Sequence, residues 1–77
     1  MKKQADMTPE QSFFAVFCIE TLADELHTRG DKIYTILTDD SDILDAYIIP
    51  NYDALHTQGR KWIVDNIIGM MKKEGLL

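Results

Sequence analysis

Seven consecutive apolar residues, Phe13 to Ile19, stand between Ser12 and Glu20 in a chain of 77 residues. The run is far short of the roughly 20 residues a membrane-spanning helix needs, so it must belong to a water-soluble fold. Wound as a helix it is apolar on every side, yet a small domain buries only one side of a helix. Surplus greasy surface is the expected consequence. Farther on, Ile19, Leu22, Ala23 and Leu26 narrow to a single stripe, while Phe13 and Phe17 share the angular sector that Glu20 and Asp24 occupy one and two turns later. This aromatic pair therefore points away from the stripe that faces the core. Either Trp62 and the last helix cover the pair, or it serves a partner, since aromatic anchors ringed by charge make interface cores.

The start of that helix is written in Thr8-Pro9-Glu10-Gln11: a capping hydroxyl, a proline at the first helical position, and a Gln that reaches back to the cap amide. The first helix should run to about His27, with Gly30 beyond it as the terminating residue. Asp31 is placed to cap a short second helix, Lys32 to about Thr38, with Ile33, Ile36 and Leu37 on one face. A third helix places Ile43, Leu44, Tyr47, Ile48 and Leu55 on one side. Pro50 interrupts it and predicts a kink or break near Ile49. The last helix, about Gln58 to Lys73, gathers Ile63, Val64, Ile67, Ile68, Met70 and Met71 on a core face and ends at Gly75. No two-residue alternation competes. The expectation is an all-α, compact four-helix domain over 8–75, with a short second helix, a Pro-kinked third, and a flexible N-terminus over 1–7.

The remaining motifs carry little chemistry. The segments from Asp24, Asp-Glu-Leu-His-Thr-Arg-Gly-Asp-Lys, and from Asp53, Asp-Ala-Leu-His-Thr-Gln-Gly-Arg-Lys, agree at six of nine positions 29 residues apart. Two copies do not make a solenoid, and local reuse of a good helix-ending turn explains them. The second copy leads into Arg60 and Lys61. His56, Thr57, Gln58, Gly59 and Arg60 thus form a candidate anion site at a helix start, against the plain reading of a helix cap. Four Asp residues at 39, 40, 42 and 45 suggest calcium. An EF-hand counted from Asp40 would need Gly at position 45 and Glu at 51, where Asp45 and Asn51 stand. His27, His56 and Cys18 lack zinc-ligand spacing, so no metal and no cofactor are expected. Cys18, within the apolar run, is a packed thiol and no nucleophile. No catalytic constellation appears, and we expect no enzyme.

Charge narrows the partners. With 8 Lys+Arg against 13 Asp+Glu the net charge is −5, which opposes the phosphate field of nucleic acid. A DNA-binding or regulatory module would have only Gln58, Arg60, Lys61, Lys72 and Lys73 to work with, and ligand binding at the His56 helix start is a further alternative. Lys2 and Lys3 precede the apolar run, but Asp6 and Glu10 interrupt a signal-peptide pattern, so a mature cytoplasmic protein is expected. A single Cys suits a reducing compartment.

Two stretches resemble a known family: Phe14-Ala15-Val16-Phe17-Cys18-Ile19-Glu20, and Tyr52-Asp53-Ala54-Leu55-His56-Thr57-Gln58-Gly59 followed by Trp62-Ile63-Val64-Asp65-Asn66-Ile67. They are similar to short bacterial proteins catalogued as domain of unknown function 3791, over about residues 12 to 70. The family brings no activity with it. Its members often neighbour a family resembling ADP-ribosyltransferases, so the resemblance implies a partner-binding or antitoxin-like role. Pro50 departs from the pattern. The resulting expectation is a non-catalytic module that binds a protein partner or self-associates as a homodimer. Its contact surface would be Phe13, Phe17 and Trp62, rimmed by His56, Gln58, Arg60 and Lys61.

Overall fold

The computed structural model describes residues 8–77, which contain five helical elements and no strand. The expected flexible stretch, 1–7, lies outside the described residues. Helix α1 spans Pro9–Glu25, and its capping box is formed as expected: Thr8 Oγ1 accepts from the Gln11 N–H and Gln11 Oε1 accepts from the Thr8 N–H, both at 3.1 Å. One side of α1 is sealed by Phe14, Ala15, Cys18, Thr21, Leu22 and Ala23. The all-α expectation holds.

The end of α1 differs from the sequence reading. Gly30 does not terminate it; His27 does, with φ +54°. The Thr28 N–H donates to the Ala23 carbonyl at 2.9 Å and the His27 N–H to the Asp24 carbonyl at 3.3 Å, which is a Schellman closure. Helix α4 ends in the same way around Gly75, φ +75°, with Leu76 N–H to Met71 O at 2.8 Å and Gly75 N–H to Lys72 O at 3.0 Å. Left-handed backbone suits glycine and strains a side chain. We expect His27→Gly to raise stability by about 0.5–1 kcal/mol and Gly75→Ala to lower it by about 1 kcal/mol. Urea midpoints of the two variants check this; a His27→Gly variant less stable than its parent would contradict it.

Gly30 opens α2 (Gly30–Thr38), whose Ile33 and Leu37 are buried. Asp31 does not cap this helix. It sits in the first turn and holds the guanidinium of Arg29 through two bonds of 3.1 and 3.2 Å. Ser41 then closes the connection: its hydroxyl donates to the Ile36 carbonyl at 2.7 Å and accepts from the Ile43 N–H at 3.3 Å.

The third helix of the sequence reading becomes two elements, split where Pro50 predicted. The first is a π-helix, Ile43–Ile48, closed by the Ile49 N–H on the Leu44 carbonyl at 3.0 Å. At 100° per residue Ile43, Leu44, Ile48 and Ile49 would spread over about 240°, whereas the wider i→i+5 winding, roughly 80° per residue, gathers them within about 130°. All four are buried. The second element, α3, is one turn, Tyr52–Leu55, anchored by buried Leu55.

Helix α4 (Arg60–Lys73) buries Ile63, Val64, Ile67 and Met71, and the other two residues of the expected core face, Ile68 and Met70, lie half-buried at its edges. It packs on α1, α1 packs on α2, and α2 on the π-helix. Tyr47 of the π-helix accepts at its hydroxyl from Asn66 Nδ2 of α4, pinning the two together. Leu76 also rests on the core, one residue past the expected domain end. Each fully buried Leu or Ile contributes about 1.5–3 kcal/mol, and an exposed ion pair about 0–1 kcal/mol. Apolar burial therefore holds this fold.

Candidate docking face on the first helix

The side of α1 turned from the core carries Glu10, Phe13, Val16, Phe17, Glu20 and Asp24. At 100° per residue these six fall within about 120° of arc. Phe13 is 77% exposed, Val16 53% and Phe17 41%, so three large apolar side chains stand side by side in solvent. Phe17 is fixed from behind. Its ring stacks on buried Phe14 at 6.1 Å, and Phe14 meets Tyr52 edge-on at 5.5 Å. Tyr52 in turn lies flat on the His56 imidazole at 4.5 Å, with planes 6° apart. A chain of four rings thus runs from the exposed face through the core edge to the turn after α3.

A shallow groove of about 400 Å³ flanks the face, lined by Val16, Phe17, Glu20, Thr21, Asp24 and Arg60. Arg60, the first residue of α4, closes one end. Its guanidinium reaches Asp24 Oδ2 at 3.2 Å and Glu25 Oε2 at 3.6 Å. These pairs are exposed and set geometry more than stability.

Phe17 and Arg60 line the groove together, whereas Phe13 stands exposed on the same side of α1 but outside the groove lining. Trp62 is 47% exposed but does not line the groove. By its position on α4 it faces away from the helix side that carries Ile63, Val64 and Ile67. Lys61 is turned to Asp65, 3.0 Å away; that hydrogen bond, then the carboxylate charge, raises the Lys61 pKa. Gln58 is exposed and its N–H donates to the Leu55 carbonyl at 3.0 Å.

The residues of the candidate anion site are occupied locally. The ring Nδ1 of His56 lies 2.8 Å from the Tyr52 carbonyl, and the Thr57 hydroxyl donates to the Ala54 carbonyl at 2.9 Å. Both serve the end of α3. Gly59 is the N-cap of α4 and offers no side chain, while Arg60 points to α1. Lys72 and Lys73 sit exposed in the last turn of α4, where cations suit the helix dipole.

The two similar nine-residue segments also part company. His27 takes left-handed backbone as the residue after the α1 cap, whereas His56 is itself the cap of α3, with φ −68° and ψ −13°. Gly30 is the first residue of α2, but Gly59 precedes the first residue of α4. Each function is displaced by one position, so the letters match and the structures do not.

Cys18 is fully buried, and burial pushes its thiol pKa up to about 12. A thiol held neutral in this way is not a nucleophile near neutral pH. Among the described residues no three His, Cys, Asp or Glu side chains are grouped to hold a metal ion, and no helix is long and apolar enough to cross a membrane.

Fold and surface together define a small all-α domain whose longest helix carries a second, uncovered apolar face. The chain belongs to a family described as protein of unknown function, DUF3791, whose model matches residues 13–74. Comparison with curated proteins and with solved structures found no match.

Proposed function

We propose that the protein is a non-catalytic, cytoplasmic interaction module that works by docking the exposed face of α1 onto another protein. One observation carries this reading. Phe13, Val16 and Phe17 form a contiguous apolar strip, rimmed by Glu10, Glu20 and Asp24, on a helix whose other side already supplies the core. Isolated exposed apolar residues are ordinary, but adjacent aromatic anchors inside a charged rim are the composition of an interface centre. A reduced, packed cysteine fits a reducing compartment.

Crosslinking in living cells of the source organism tests the reading. A photo-crosslinking phenylalanine derivative in place of Val16 should give one dominant protein adduct, weakened strongly by Phe13→Asp. The same group in place of exposed Thr35 on α2 should give none. Equal labelling from both positions, or no adduct from position 16, would contradict the proposal.

A further inference from the structure

We infer that the α1 face receives a cationic amphipathic helix of a different protein. The inference rests on the docking reading above and adds the chemistry of the occupant. Helix α1 holds four carboxylates, Glu10, Glu20, Asp24 and Glu25, and no Lys or Arg along Pro9–Glu25. Among the described residues the one cation lining the groove, Arg60, is already held by Asp24 and Glu25. The rim thus sets three carboxylates, Glu10, Glu20 and Asp24, against one guanidinium and stays acidic, on a chain of net charge −5. Like-charge juxtaposition across an interface disfavours it, and opposite charge sets register and speeds encounter.

A second copy fits this rim badly. In a two-fold contact the same patch meets itself, residue i against j and j against i. An antiparallel pairing centred between Phe13 and Phe17 sets Glu20 opposite Glu10 of the copy, acid against acid with no cation on either helix to separate them. A cationic partner turns each of those contacts favourable.

The occupant is helical because the surface offers only helix. Among the described residues there is no strand edge to which an extended peptide could add. The Phe13–Phe17 and Val16–Glu20 rows are ridges at i, i+4 spacing, which accept a facing helix in the grooves between them. From Phe13 to Asp24 the strip runs about 16 Å, matching a partner of roughly three turns with apolar residues at i, i+3, i+4 and i+7. Lys or Arg on its flanks would meet Glu10, Glu20 and Asp24.

The test is a selection from a displayed library of helix-forming peptides in which Lys, Glu, Gln, Leu and Ala are coded equally. The bait is the full chain, and the Phe17→Asp variant serves as counter-bait. The inference predicts enriched peptides that are net cationic. Their affinity should fall at least about tenfold on Glu20→Lys, and about tenfold from low salt to roughly 0.5 M salt. Enriched peptides that are neutral or acidic, or indifferent to Glu20→Lys, would overturn the charge inference while leaving the docking face intact. Peptides that bind Phe17→Asp as well as the parent would overturn the docking face itself. Sedimentation equilibrium showing a parent dimer that Glu20→Lys strengthens and Phe17→Asp dissolves would name a second copy as the occupant and end the inference.

Discussion

Leu22→Ala is expected to lower the unfolding free energy by about 3 kcal/mol, and Ile67→Ala by a similar amount, within the roughly 2–5 kcal/mol range for buried aliphatic truncations. Both side chains are fully enclosed in the helix layer shared by α1, α2 and α4. A chain of this length has of order 4–12 kcal/mol in total, so one truncation removes a large share of it. The melting temperature should fall by about 12–24 °C. Phe13→Ala deletes a larger side chain and should cost less than about 0.5 kcal/mol, because Phe13 is 77% exposed. The contrast makes the result informative. Volume removed does not set the cost; burial does. Calorimetric melts of the three variants decide it, and a Phe13→Ala loss comparable to that of Leu22→Ala would place Phe13 in the core.

Cys18 should be chemically silent until the chain unfolds. With its pKa pushed up from 9.0 to about 12, the folded thiolate fraction near pH 8 is smaller by about 10³-fold than that of a free thiol. Labelling by a water-soluble disulfide reagent should be slower by at least that factor, and denaturant should restore it. The same shift ties stability to pH. The folded state holds the proton more tightly than the unfolded state, so this contribution is intact below pH 9 and is lost as pH climbs towards 12. The full span of three units corresponds to about 4 kcal/mol. Tyrosines and lysines also ionise in that window, so the quantity to follow is the stability of the parent relative to Cys18→Ala. It should decline above pH 9; a difference that stays flat to pH 11 would show that the thiol is not sealed. Rapid labelling of the native protein at pH 8 would contradict the packed position outright.

The features readable from sequence were those with local causes. The capping box at Thr8 and Gln11 depends on four adjacent residues, and it formed. The core face of α4 follows from spacing alone, and Ile63, Val64, Ile67 and Met71 are buried. Proline predicted the break near Ile49 for a reason that needs no tertiary contact. The π-winding before it could not be read in this way. It arises because Ile49, off the α-helical stripe, gains burial when the turn widens, and only the packed structure rewards that. Arg60 is a second case: it stands 36 residues from Asp24, and nothing in the spacing shows that α4 begins beside the end of α1. The repeated His-Thr turn misled in the opposite sense. Six shared letters suggested one conformation, yet the following helices start one residue apart, at Gly30 and at Arg60. The exposure of Phe13 and Phe17 was legible because surplus hydrophobicity is a matter of counting, whereas the placing of Trp62 relative to them depends on how α4 is rotated.

All of these expectations depend on α1 having one face that builds the fold and another that the fold does not need. The most direct measurement is the urea unfolding free energy of a Phe13→Ser/Val16→Ser double variant beside the parent. The expected difference is below about 1 kcal/mol, with an unchanged denaturant slope. A loss of about 3 kcal/mol or more would show that these side chains are part of the core, and that α1 has no face to spare for a partner.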